Sequence, residues 1–166
     1  GRMVTALSGG PGAAIILQRA NDSASQGQSA PQGPGEWGPS RESMSKRAAR
    51  YQEQISGHPA SEAYWVGGKD LKSGGVKLDG FKDDVLLEAK GPGYANKFAD
   101  NLSPKRWFAP SGAKQLVEQA TRQLKAAKGV PIRWHVAEKK AADAIRLLLK
   151  GEGVEGIEIV HTPALL

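Results

Sequence analysis

The chain has 166 residues, 39% of them apolar and 24% charged, which suits one modest core with a tail or two very small domains. It has no cysteine, which excludes a disulfide framework and any thiolate zinc site, and no apolar run approaches the roughly 20 residues that span a bilayer. The net charge is +6; Arg2, Arg19, Asp22 and Glu36 cancel within residues 1–39, so the whole excess falls on residues 40–166, where it favours nucleic acid or simply a solvated basic surface.

Residues 1–39 are rich in Gly, Ser, Pro, Gln and Ala, and from Asn21 to Pro39 the only large apolar side chain is Trp37. Such a composition does not repay the entropy of ordering and predicts a flexible linker or tail. The stretch Ala13–Leu17 lacks the layout of a secretory signal, and a start at Gly1 rather than Met suits a fragment of a longer chain.

From residue 40 the periodicities sharpen into a folded domain. Met44, Ala48, Tyr51 and Ile55 form one helical stripe, with Ser40 or Ser43 as its cap and Gly57 with Pro59 as its stop. Glu62–Val66, Val76–Phe81 and Val85–Lys90 read as strands, the last two joined through Lys82-Asp83-Asp84. Gly91–Pro110 is punctuated as an irregular loop. A second helix is predicted from about Gly112 to Lys128, closed by Gly129, then a strand at Ile132–Val136, a helix at Glu138–Lys150 and a last strand at Gly156–His161. The order α-β-β-β-α-β-α-β predicts an α/β fold with a mixed sheet, antiparallel at its start and joined by helical crossovers after it.

The pattern acidic-x-Lys occurs at Asp70-Leu71-Lys72, Glu88-Ala89-Lys90 and Glu138-Lys139-Lys140, and only the second ends an apolar strand. Alternation puts Glu88 and Lys90 on one face. A hairpin turning at Asp83-Asp84 pairs Lys82 with Val85 and sets Asp79 opposite Glu88, with Cβ atoms about 5 Å apart. Two carboxylates so close repel unless a cation lies between them, and hard oxygens at that spacing suit Mg²⁺ or Mn²⁺. Lys90 would orient or help deprotonate a water beside it. Asp-Asp is not the favoured two-residue turn, and a slip of one residue would send the carboxylates to opposite faces, leaving a hairpin that simply exposes its charges.

At these residues the chain resembles the PD-(D/E)xK restriction-endonuclease-like superfamily. More narrowly it resembles the Tox-REase-5 family of bacterial polymorphic toxins, in the blocks Tyr51-Gln52-Glu53-Gln54-Ile55-Ser56-Gly57, Leu78-Asp79-Gly80-Phe81, Leu86-Leu87-Glu88-Ala89-Lys90-Gly91-Pro92, Gln119-Ala120-Thr121-Arg122-Gln123, Trp134-His135-Val136-Ala137-Glu138 and Val160-His161-Thr162-Pro163. Leu78 stands where the superfamily name suggests proline. The resemblance implies a restriction-endonuclease-like αβββαβ core with an added C-terminal helix and strand. It implies a metal-dependent endonuclease, with Asp79 and Glu88 as metal ligands and Lys90 as the catalytic lysine. It further implies a secreted effector of bacterial competition, delivered by a system such as type VI secretion into the cytoplasm of a recipient cell. In the producer a cognate immunity protein would hold it inactive; meeting a +6 surface, that protein should be acidic.

Several further residues are candidates. Glu53 or Gln54 on the first helix would add a metal ligand or hold a water, as a first-helix acid often does in the superfamily, or would be ordinary exposed residues. Gln119 and Gln123 share a side of the second helix and would reach the site, or are surface glutamines. Lys97, Lys105 and Arg106, interleaved with Tyr94, Phe98, Trp107 and Phe108, suit a strand-gripping surface, a packed lid or an inhibitor-binding loop. His135 lies with Arg133 on the face opposite Ile132, Trp134 and Val136, where it would line the cleft or be structural. DNA is favoured as substrate on the superfamily's habits. The competing readings are a metal-independent ribonuclease working through His135 and His161, and a non-catalytic basic nucleic-acid-binding module.

Overall fold

The computed structural model describes residues 33–165; residues 1–32, most of the expected linker, and Leu166 lie outside them. The first described element is a strand, β1 (Gly35–Pro39), inside the segment read from composition as linker. It pairs antiparallel with β2 (Glu62–Val66), and Trp37 explains why a strand forms in so poor a sequence. The Trp37 ring stacks on His58 at 3.4 Å and meets Tyr64 edge-on at 5.5 Å, so one aromatic side chain anchors the segment.

Helix α1 (Lys46–Ser56) is capped by Ser45, whose hydroxyl accepts from the Ala48 amide at 3.1 Å; Ser40 and Ser43 lie upstream of it. Gly57 closes the helix at φ +72°. β3 (Val76–Leu78) pairs with β2, and β4 (Gly80–Lys82) pairs with β5 (Val85–Lys90). The strand expected over Val76–Phe81 is thus broken at Asp79. The Asp79 amide donates to Leu87 O at 2.9 Å while Gly80 faces Leu87 in the ladder, so two residues oppose one, as in a β-bulge. Glycine suits position 80, where a Cβ would stand 3.0 Å from that of Ser56 at the end of α1, a tight contact.

The hairpin register is the one that opposes Lys82 to Val85. Asp83 and Asp84 take φ of +53° and +63°, a pair of left-handed residues that matches the twist of the strands. β5 then pairs in parallel with β6 (Ile132–Val136), and β6 with β7 (Ile157–His161). The two parallel steps are bridged by α2 (Lys114–Ala127) and α3 (Lys139–Gly151). A short 3₁₀ turn at Tyr94–Lys97 and a π turn at Ala109–Ala113 punctuate the long connection from β5 to α2.

The result is an α/β fold with a mixed sheet, order β4-β5-β6-β7, and an antiparallel sheet β1-β2-β3 joined to it through Asp79. Leu86, Ile132, Trp134, Val136 and Ile159 face a core shared with α2 and α3. The other face of β5 carries Leu87 and Ala89 against Tyr51 and Ile55 of α1. Among the described residues no helix is long and apolar enough to cross a membrane.

Candidate active site

Alternation along β5 sends Leu86, Glu88 and Lys90 to the face covered by α2. Leu86 enters the core, and the two charged residues, 5% and 4% exposed, sit where the sheet edge opens into a cleft of about 460 Å³. The bulge turns Asp79, 3% exposed, into the same cleft. Its Oδ2 accepts from the Ala89 amide at 2.8 Å, and its Oδ1 accepts from Lys77 Nζ at 3.0 Å. Asp79, Glu88 and Lys90 therefore line one cleft, Asp79 through the bulge rather than by pairing directly opposite Glu88.

Helix α2 holds Glu88 in place. Gln119 Nε2 donates to Glu88 Oε2 and Gln123 Nε2 to Glu88 Oε1, each at 3.1 Å. Gln123 is fully buried, and its own Oε1 accepts from Trp134 Nε1 at 2.8 Å, so indole, amide and carboxylate form one chain. Lys90 Nζ donates to Glu88 Oε2 at 3.1 Å and to Gln119 Oε1, and lies 4.7 Å from the Trp134 ring centroid. Gln119 and Gln123 thus fix which way the carboxylate and the ammonium point.

Burial and the neighbouring Glu88 charge push Asp79 up to about 7, against the pull of Lys77. Burial disfavours the Lys90 charge, but Glu88, Tyr94 and Asp79 outweigh it and hold the ammonium above its ordinary value. Lys77 behaves alike: burial opposes its charge, and Asp79, Glu88 and Glu42 more than restore it. A carboxylate driven upward by burial beside another carboxylate is relieved by a proton or by a further cation. Among the described residues no three His, Cys, Asp or Glu side chains gather as a metal cage. Two carboxylates on an open cleft are the donor set of an ion that keeps most of its waters, which Mg²⁺ does and a caged ion does not. The residues present fit such an ion.

The other expected residues divide. Lys97 lines the cleft, its ammonium 5.3–5.7 Å from the ring centroids of Tyr94, Trp107 and Phe108. Glu53 does not reach the cleft, because its Oε2 is engaged by the Ala60 amide at 2.8 Å beyond the helix end. Gln54 is tied to the C-terminal segment, donating to Pro163 O and accepting from the Leu165 amide. Lys105 and Arg106 lie in the same loop as Lys97 but outside the cleft wall. His135 is on the sheet face opposite Glu88, within 2.8 Å of Thr162 Oγ1, where burial and then Arg133 lower its pKa.

Several cleft residues escape the sequence reading, among them Lys77, Glu42 and Gln52 and, on α2, Gln115, Glu118 and Arg122. Lys77 stands two before Asp79, a spacing that alternation could have used; it pairs with Glu42 at 2.8 Å as well as with Asp79. Gln52 is four residues after Ala48 on α1, at the margin of the apolar stripe, and gives no signal in the sequence beyond its helical phase. Glu138 also acts nearby, its Oε1 accepting from the Gly93 and Ala95 amides and fixing the chain just after β5.

A family model described as restriction endonuclease fold toxin 5 matches residues 48–139, a span that runs from α1 to the start of α3 and includes Asp79, Glu88 and Lys90. No curated protein matches the chain.

Proposed function

The chain belongs to the Tox-REase-5 family of restriction endonuclease fold toxins, and on that footing we propose that it hydrolyses phosphodiester bonds of DNA with the help of a divalent cation. The carrying observation is the convergence of the Asp79 and Glu88 carboxylates and the Lys90 ammonium on one cleft. Asp79 and Glu88 would hold Mg²⁺ or Mn²⁺, which when bound polarises a phosphoryl oxygen and makes a water more acidic. Lys90 offers a charged donor to the negative charge that grows on the phosphate. Its ammonium is steered by Glu88 and Gln119, so it is aimed before substrate arrives. Gln123 is fully buried between Trp134 and Glu88 and serves as the brace of Glu88. Lys97 at the cleft wall, with the exposed Trp107 beside it, is the part of the basic loop placed to meet the backbone of the nucleic acid.

The ribonuclease alternative needs His135 and His161 to act together. In the parallel register His135 pairs with Val160 and Val136 with His161, so the two imidazoles belong to opposite faces of the sheet. That geometry favours the carboxylate site. Family membership supports action as a toxin. The delivery route, the recipient cytoplasm and an acidic immunity protein belong to this proposal as well.

The test is nicking of supercoiled plasmid by the purified chain with Mg²⁺ or with EDTA, with structured RNA as a parallel substrate. Glu88→Ala and Lys90→Ala should each slow cleavage at least about a hundredfold. Undiminished cleavage by both variants overturns the site, activity in EDTA overturns the cation, and binding without cleavage makes the chain a non-catalytic module.

A further inference from the structure

Among the described residues one buried side-chain donor has nothing to donate to, and it belongs to a residue that lines the cleft. Gln52 is 5% exposed and lines the wall formed by α1, and its Nε2 has no hydrogen-bond partner. A buried amide left in that state is destabilising, and native proteins rarely keep one without a use. No acceptor of the site lies within its hydrogen-bonding reach. Asp79 is engaged by Lys77 and the Ala89 amide, and Glu88 by Lys90, Gln119 and Gln123. Nε2 is itself shielded and the helix is held, so the amide meets a ligand by turning about its Cγ–Cδ bond rather than by leaving the wall. Tyr51 Oη donates to Thr162 O at 2.7 Å, and Gly91, just after Lys90, packs beside Tyr51 at ordinary van der Waals distance.

We propose that Gln52 is a substrate-binding residue whose Nε2 donates to a non-bridging oxygen of a backbone phosphate, so that the donor is completed only when nucleic acid fills the cleft. This rests on the nuclease reading above and adds to it a group on the first helix that recognises the phosphate directly. The ligand must bring an acceptor that the chain lacks, and a phosphodiester carries two at each linkage. A neutral amide suits the place: a further carboxylate beside Asp79 and Glu88 would repel the substrate.

The test compares the full chain with Gln52→Met and Gln52→Glu, which keep the volume. The readouts are anisotropy of a fluorescein-labelled DNA duplex in EDTA, plasmid cleavage with Mg²⁺, and melting temperature. Gln52→Met removes the unpaired donor, so its melting temperature should hold or rise while duplex binding and cleavage weaken about tenfold or more. Gln52→Glu should bind more weakly still. A Gln52→Met variant that binds duplex like the parent overturns the proposal, and if its cleavage alone is slow the amide serves a water instead. A lower melting temperature for Gln52→Met assigns the amide a structural bond and also overturns it. A parent chain that cleaves neither DNA nor RNA overturns the nuclease reading, and this inference falls with it; a cleaving parent matched by Gln52→Met sinks the inference alone.

Discussion

Asp79 is the residue on which sheet geometry and chemistry meet. Its pKa rises to about 7 in the folded chain because burial and Glu88 disfavour its charge. The unfolded carboxyl titrates near about 4, so the native state binds this proton the more tightly. The stabilisation is complete below the unfolded value and is lost as pH climbs through about 7. In EDTA, Asp79→Asn, which mimics the protonated form, should melt a few degrees above the parent at pH 8, and the gap should close toward pH 5. An excess of Mg²⁺ should raise the parent at pH 8 and leave the variant unmoved. Melting curves across pH check both, and a gap that does not change with pH refutes the assigned cause. Lys77 belongs to the same balance: it answers part of the Asp79 charge from a position that strand alternation alone would have marked.

Among the elements, the β4–β5 hairpin shows what a sequence discloses and what it hides. The register and the shared face of Glu88 and Lys90 follow from strand periodicity and a two-residue turn. The bulge at Asp79 does not, because it depends on Gly80 meeting Ser56 across the fold. The turn itself carries strain, since Asp83 and Asp84 both adopt positive φ without being glycine. Replacing Asp83-Asp84 by Asn-Gly should therefore stabilise the chain by about 0.5–1 kcal/mol, read by urea unfolding with an unchanged slope. β1 was illegible for a related reason: its glycines and proline disfavour a strand locally, and tertiary contacts, foremost that of Trp37 with His58 and Tyr64, override them. Glu53 was misplaced because one step of helical phase, about 100°, separates it from Gln52, and composition does not reveal which of the two faces the cleft. Helix periodicity was legible for α2 and α3, whose inward residues are the buried ones.

At the scale of the whole molecule, a basic body carries its reaction centre in a cleft whose own charges nearly cancel. Lys77, Lys90, Lys97 and Arg122 stand there against Glu42, Asp79, Glu88 and Glu118. Attraction of a polyanion thus comes from the surface, while the cleft selects by position. Lys97→Ala should weaken duplex binding and lower the slope of log affinity against log salt by about 1. Trp107→Ala should weaken binding about five- to tenfold and leave that slope unchanged, because stacking releases no counterion. Titrations at several salt concentrations separate the two, and equal slopes for all three chains would remove Lys97 from the phosphate path. The far end of the chain matters as much as the cleft. Thr162, Pro163 and Leu165 are bonded to Tyr51 and Gln54 of α1, so the segment that follows the last strand fastens the first helix. The smallest self-sufficient unit is accordingly longer than the stretch shared with the family: a fragment stopping at Lys139 would strand the Tyr51 hydroxyl, bare one edge of β6 and unmoor the helix that forms one wall of the cleft.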